Sequence, residues 1–285
     1  MMRLVILTGE DYEHCYVANQ FAAAFPLTRI IVDRGRSRSK VERVRRLLRR
    51  YTLRQLLSRG MGRLMSLVLR DRRSRRRAMF HVLGRENCER HRNEDIITYV
   101  HGLNAPASYE IVRDLKPDVI LVYGTGIVGD KILSLASQLA LNMHTGISPY
   151  YRGAGCAFWP LYNGEPERLG ATIHRCTSDI DGGMIYRVAQ AALEEEDDVF
   201  TVFARCVKVG AESYVAVVQA LLDGRLEGRP QQLDSGREYR AAEKGWRHEL
   251  SIRWRIRRGL IRDYVVLSRN GMLHADREQQ SDSSE

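Results

Sequence analysis

The chain has 285 residues, 44% of them hydrophobic and 8% aromatic, which is the composition of an ordinary globular protein and excludes global disorder. Its longest apolar runs are far shorter than the ~18 residues of a membrane-spanning helix, and its N-terminus does not resemble a signal peptide. The formal net charge of +10 is misleading, because residues 34–77 hold 18 Lys or Arg and two acids while the rest is mildly acidic. Five scattered cysteines without a C-x-x-C pair predict reduced thiols in a cytoplasmic protein.

The first 34 residues predict a strand, a helix and a second strand. Residues 3–9 (RLVILTG) form an apolar run, Asp11 begins a helical pattern that ends at Pro26, and residues 28–34 (TRIIVDR) form the next run. This order is typical of a parallel α/β sheet of the Rossmann-like type, with helices on both faces.

An arginine-rich helical insertion is predicted over about residues 35–90. Its apolar residues recur at helical spacing between arginines, and Gly60 and Gly62 predict a break between two helices. A helical insertion packed through its Leu and Met face is the simplest interpretation. The alternative is a basic amphipathic surface for anionic lipid headgroups, nucleic acid or a phosphorylated substrate.

Residues 118–123 (DVILVY) predict a strand buried on both faces, and a glycine-rich loop follows it. Gly124–Gly129 matches G-x-G-x-x-G and precedes a predicted helix over residues 130–140, which formally satisfies the dinucleotide-binding pattern. No Asp or Glu occurs from Lys131 to Asn163, where the ribose-binding acid belongs. The missing acid therefore argues against a nicotinamide-binding site.

Three polar residues further along have the chemistry of an acyl-transfer site. Asn142 and His144 lie two residues apart in a predicted strand, so their side chains share one face. Asp181 precedes the pair Gly182 and Gly183, a composition typical of a tight turn. An amide, an imidazole and a carboxylate could together polarise a carbonyl and move a proton. No His, Cys and Asp cluster has metal-ligand spacing, so we expect no metal.

The order Asn-x-His, Ser-Pro-x-x-Arg-Gly, Gly-Ala-Thr-Ile-His and Asp-Gly-Gly resembles the folate-dependent formyltransferase family over about residues 104–225. The resemblance implies that Asn142, His144 and Asp181 are catalytic, and it places His174 beside the active site. It also implies 10-formyltetrahydrofolate as co-substrate. The residues it assigns to the folate pocket are Thr125, Gly126, Ile127, Val128, Thr177, Ser178 and Asp179.

Two departures from the family bear on the amine acceptor. The purine-pathway branch has a Gly-Ser-Asn phosphate loop after its first strand, whereas this chain has TGEDYEH with acids there. The loop after His144 reads Thr145-Gly146-Ile147-Ser148-Pro149 rather than Pro-Ser-Leu-Leu-Pro. By elimination we expect a small-molecule amine, foremost a nucleotide-linked amino sugar. Hydrolysis to formate, or formylation of an amino acid or aminoacyl-tRNA, remains open, as does homodimer formation.

The domain organisation follows from these patterns. Residues 1–225 are predicted to form the formyltransferase-like domain, residues 226–275 a small extension of short strands and a basic helix, and residues 276–285 a disordered tail. The extension is too short for the C-terminal tRNA-binding barrel that methionyl-tRNA formyltransferases carry.

Overall fold

The computed structural model describes residues 2–35, 45, 47–49, 51–177 and 179–270. In this part of the chain seven strands lie side by side, in the order β3 (Ile97–Val100), β2 (Arg29–Asp33), β1 (Leu4–Thr8), β4 (Val119–Tyr123), β5 (Leu139–His144), β7 (Gly170–Arg175) and β8 (Ile185–Gln190). A second sheet pairs two short strands, β6 (Tyr151–Gly153) and β9 (Arg237–Tyr239).

The sheet is mostly parallel. Strands β3, β2, β1, β4 and β5 run parallel to their neighbours, as predicted, but β7 and β8 are antiparallel. A parallel connection needs a crossover of a dozen or more residues, and residues 176–184 between β7 and β8 are too few for one. The prediction of a parallel sheet is therefore wrong for the last two strands.

The helices that connect and cover the strands include α1 (Tyr12–Ala24), α2 (Leu53–Val68), α3 (Asp71–Leu83), α4 (Arg85–Cys88), α5 (Pro106–Leu115), α6 (Asp130–Leu133), α7 (Trp159–Asn163), α8 (Val199–Leu222), α9 (Trp246–Arg257) and α10 (Leu260–Arg269). The helices lie on both faces of the sheet, because the apolar side chains of β1 alternate between the two faces. Leu4 and Ile6 pack with α1, α3 and α8 on one face of the sheet, whereas Val5 and Leu7 pack with α5 and α6 on the other. Helices on both faces are thus confirmed.

Helices α2 and α3 account for the described part of the basic segment. α2 is continuous through Gly60 and Gly62, so the predicted break there is wrong. Two glycines lower helix propensity, but α2 packs against α9 here, where a Cβ at Gly62 would lie 3.8 Å from the Trp246 Cβ. The chain instead turns at Arg70, whose φ of 53° is left-handed, and α3 then buries Met79 and Leu83 against α1 and α8.

The residues after α8, predicted as short strands and a basic helix, form one short strand and two helices that build a second core. β9, α9 and α10 pack with α7 and the start of α8, and Tyr239, Ile252 and Ile261 are buried there. The helix predicted over residues 130–140 is also shorter than expected, since only α6 forms. The segment predicted to be a disordered tail lies outside the described residues.

None of the helices in the described part of the chain combines the length and apolarity that crossing a bilayer requires.

Candidate active site

Strand β5 carries two polar side chains to the carboxyl edge of the sheet. Asn142 and His144 lie on the same face of this strand because side chains alternate. On the antiparallel neighbour β7, His174 is the register partner of Asn142, and Thr172 is that of His144. The sheet therefore delivers an amide and two imidazoles to one place.

Asp181 reaches the same place from the turn between β7 and β8. Its φ of 50° is left-handed, a conformation that aspartate adopts more readily than most residues. The Gly153 N–H donates to Asp181 Oδ2 at 2.8 Å, and Gln231 Nε2 donates to the Asp181 carbonyl at 2.9 Å. The turn, β6 and the C-terminal segment thus hold the carboxylate together.

His174 contacts three groups. Its Nδ1 lies 2.9 Å from the Arg175 carbonyl, which only accepts, so Nδ1 carries a proton. Its Nε2 lies 3.0 Å from Asn142 Nδ2 and 3.4 Å from Asp181 Oδ1, and Asn142 Nδ2 makes its own contact of 3.4 Å with Asp181 Oδ1. The Asn142 N–H that makes the 3.4 Å contact with Asp181 can donate to a ligand oxygen instead.

His144 is 8% exposed and lies between two acceptors. Its Nε2 is 2.9 Å from the Tyr151 carbonyl, and its Nδ1 is 3.2 Å from Asp181 Oδ2. Burial lowers the pKa of His144, while the Asp181 charge opposes this effect. Burial of Asp181 acts to raise the pKa of its carboxyl, but His144, His174 and the Gly153 N–H outweigh it and hold that pKa well below its usual range. An acceptor faces each ring nitrogen, so both N–H groups of an imidazolium would be hydrogen-bonded in place.

These groups line one cavity of about 980 Å³. The structure brings together in its wall Asn142, His144 and Asp181 with the predicted folate-binding residues Thr125, Gly126, Ile127, Val128, Thr177 and Asp179. Ser178 lies outside the described residues. Ile127 is 77% exposed and Ile180 39%, so apolar surface is available beside the polar groups for a flat ring.

The loop Gly124–Gly129 is fixed by a residue that the sequence analysis missed. Asn104 Nδ2 donates to the Ile127 carbonyl at 2.7 Å, and its Oδ1 accepts from the Gly129 N–H at 2.7 Å. Nothing in the sequence near Asn104 signals this contact, because the two segments meet only in the folded sheet.

Gly146 is a second residue that was not assigned a role. A Cβ there would lie 2.5 Å from His144 Nε2 and from the Cys156 Cβ. A glycine two residues after a candidate catalytic histidine is the signal that could have indicated this close approach.

Glu13 is the third missed residue. It is 3% exposed and lines the cavity beside His14. Its Oε1 pairs with Arg75 of α3, whereas its Oε2 is buried without a hydrogen-bond partner in the described structure. Such an oxygen is costly unless something binds it.

The family model described as formyl transferase matches residues 78–218, which include β4, β5, β7 and the turn of Asp181. The chain contains a formyl transferase domain. The resemblance seen in the motifs is thereby confirmed, although β1, α1 and β9 lie outside the matched segment.

The domain is similar to methionyl-tRNA formyltransferase of Pelobacter propionicus, with 30% identity over 132 residues, 46% of this chain and 41% of that protein. The chain thus spans about two fifths of the length of this curated relative.

Two solved structures share the fold. A sugar N-formyltransferase from a Shewanella species has a TM-score of 0.55 at 12% identity, covering 88% of this chain and 87% of that one. An N-formyltransferase from Helicobacter canadensis, in complex with folinic acid and dTDP-3-aminofucose, has a TM-score of 0.50 at 15% identity, covering 86% and 73%.

In the described residues no group of three or more His, Cys, Asp and Glu side chains is arranged to hold a metal ion.

Proposed function

We propose that the protein transfers the formyl group of 10-formyltetrahydrofolate to a primary amine, with Asn142, His144 and Asp181 as the catalytic residues. The observation that carries the proposal is the meeting of these three side chains on the wall of a cavity that a formyl transferase domain also lines with the loop Gly124–Gly129. In this proposal the loop, Thr177, Ser178 and Asp179 bind the folate, and no metal takes part.

The reaction passes through a tetrahedral intermediate, and each group has a task in it. The amine nitrogen attacks the formyl carbon, so negative charge develops on the formyl oxygen, where the Asn142 amide donates. His144, neutral because its pKa is lowered, takes the proton that the attacking amine loses, for which its Nε2 turns from the Tyr151 carbonyl toward the amine. The resulting imidazolium is stabilised by Asp181, whose Oδ2 is 3.2 Å from Nδ1. The proton then passes to the folate nitrogen as the carbon–nitrogen bond to tetrahydrofolate breaks.

We further propose a nucleotide-linked amino sugar as the acceptor. A second cavity of about 920 Å³ is lined by Asp11 and Tyr12 of the α1 start and by five arginines of α3, Arg72, Arg73, Arg75, Arg76 and Arg77. Asp11 and Tyr12 directly precede Glu13 and His14, which line the first cavity, and Arg75 pairs with Glu13, so both cavities lie beside the start of α1. The guanidinium groups suit the pyrophosphate of an acceptor whose amine lies in the first cavity.

Glu13 is the group that we propose to bind the acceptor amine as it enters, through its unpartnered Oε2. Glu13→Gln keeps the shape but loses the charge, so we expect KM for the amine to rise at least about tenfold, the loss of one charge-assisted hydrogen bond. KM for 10-formyltetrahydrofolate should stay unchanged. An equal rise in both KM values would assign Glu13 to the fold instead.

The test of the function is incubation with 10-formyltetrahydrofolate and a panel of amines: nucleotide-linked and free amino sugars, amino acids and charged initiator tRNA. Formylated product is read by mass spectrometry and tetrahydrofolate release by absorbance. We expect His144→Ala, Asn142→Ala and Asp181→Ala each to lower kcat by about 100-fold or more. Turnover near the parent rate in a folded His144→Ala variant would refute the mechanism. Tetrahydrofolate release that no amine accelerates would identify a hydrolase.

A further inference from the structure

Helix α2 is amphipathic with its apolar side turned to solvent. Five residues at helical spacing share one face: Leu53 is 73% exposed, Leu57 68%, Met61 50%, Leu64 58% and Val68 71%. No residue of α2 is buried, and Leu67, at the edge of this face, is 71% exposed. We call these six residues the α2 stripe.

The opposite side of α2 is the one that faces the protein. Ser58, Gly62 and Ser66 recur every four residues there and line the cleft between α2 and the start of α9, with Gly245 and Trp246 across it. A Cβ at Gly245 would lie 2.9 Å from Ser58 Oγ. Small residues, together with the half-buried Arg59 and Met65, therefore line this cleft, and nothing in the described chain covers the stripe. A helix that supported only the fold would show the reverse pattern.

Arginines border the stripe. At 100° per residue Arg54 lies next to Met61 on one side and Arg63 next to Leu67 on the other, and both arginines are exposed. Helix α2 itself contains three arginines, Arg54, Arg59 and Arg63, and no acid. Arginine side chains that border an apolar face can place their methylene groups along apolar surface while the guanidinium group stays in a polar, hydrated environment.

We infer that α2 docks the protein on an anionic lipid surface, lying in the plane of the interface with the stripe among the acyl chains. Sixteen residues give a helix about 24 Å long, which suits an interfacial orientation rather than a crossing one. This role is independent of the reaction proposed above.

Two other occupants fit less well. A second copy packed stripe to stripe would bring the arginine borders of both copies together without acids to neutralise them. A nucleic acid would match the arginines but would leave the leucines in water, because a phosphate backbone offers no apolar surface. An anionic bilayer matches the charge and the apolar stripe together.

The test is flotation of the full-length protein with vesicles of phosphatidylcholine alone and of phosphatidylcholine with about 30% phosphatidylglycerol. We expect binding to the anionic vesicles only, weakened by salt. Leu57→Ser with Leu64→Ser should lower partitioning on the order of 100-fold, since each leucine withdrawn from water contributes about tenfold or more. Arg54→Gln with Arg63→Gln should weaken binding to anionic vesicles selectively.

The matched control is Leu222→Ser with Leu267→Ser, two exposed leucines of α8 and α10 that lie outside the stripe and are 37% and 40% exposed. This variant should bind like the parent. The stripe variant should keep the parent Tm, because Leu57 and Leu64 are mostly exposed to water. The inference is overturned if the parent does not float with anionic vesicles, or if the stripe variant floats equally well. It is also overturned if sedimentation shows a dimer that the stripe variant converts to monomer.

Discussion

Gly146→Ala tests whether His144 must sit where the structure has it. The new Cβ would lie 2.5 Å from His144 Nε2, 2.5 Å from the Cys156 Cβ and 2.9 Å from the Tyr151 carbonyl oxygen. Non-bonded heavy atoms pack at about 3.5 Å, so His144 or its neighbours must move by about 1 Å. The ring has only about 0.5 Å of room toward Asp181, because that contact is 3.2 Å and such contacts do not shorten much below about 2.7 Å. It must leave the Tyr151 carbonyl instead.

The magnitude follows from these distances. Overpacking of this kind destabilises a fold by about 1–3 kcal/mol, and a shift of about 1 Å in a catalytic group costs about 100-fold in rate. We therefore expect kcat for formyl transfer to fall about 100-fold while KM for 10-formyltetrahydrofolate changes little. Urea unfolding should show the loss of stability.

The matched control is Gly60→Ala in α2, where a Cβ would meet no atom within 4 Å. Alanine in a helix interior is more favourable than glycine by about 0.5–1 kcal/mol, so this variant should be slightly more stable and fully active. Parent values of kcat and stability for Gly146→Ala would refute the reasoning, because they would mean that the ring has room the structure does not give it.

Two further outcomes concern stability. The Tyr214 hydroxyl is fully buried, donates to the Leu141 carbonyl at 2.7 Å and accepts from the Val122 N–H at 3.1 Å. Tyr214→Phe removes both hydrogen bonds and should lower the unfolding free energy by about 2–4 kcal/mol. A loss below about 0.5 kcal/mol in urea unfolding would contradict this expectation. Burial lowers the pKa of His14 and of His144 below the unfolded value of about 6.5. Below that pH the unfolded chain binds more protons than the folded protein. The unfolding free energy should therefore fall as pH decreases from 6.5 toward the folded pKa values. The slope is at most about 1.4 kcal/mol per pH unit for each histidine, and His144→Asn should reduce it in urea unfolding measured from pH 7.5 to 5.

Much of the sheet follows from local pattern. The apolar runs of β1, β2 and β4, with Asp11 and Pro26 bounding α1, predicted their elements because each is set by periodicity and by local backbone chemistry. Strand β8 was not predicted, since IYRVAQ alternates weakly and is half exposed at the sheet edge. The helical break expected at Gly60 and Gly62 was wrong because packing against α9, not propensity, decides the conformation there.

Some residues of the candidate site could likewise be predicted from the sequence, and others could not. Asn142, His144 and Asp181 could be singled out because motif spacing carries their chemistry, and the structure brings them within hydrogen-bonding reach of one another. Asn104 and Glu13 could not, since each acts through partners distant in sequence. Their contacts exist only once the strands have assembled side by side.

The two-stranded sheet of β6 and β9 makes the matched domain dependent on residues beyond it. The Gly153 N–H that holds Asp181 belongs to β6, and β6 pairs with β9 of the C-terminal segment, where the Tyr151 and Tyr239 rings stack at 5.5 Å. A fragment ending after α8 would lack β9, so the backbone N–H and C=O groups of β6 that pair with β9 would be exposed to water. Asp181 would then lose one of its anchors, so the mechanism proposed above requires the C-terminal segment as well as the matched domain.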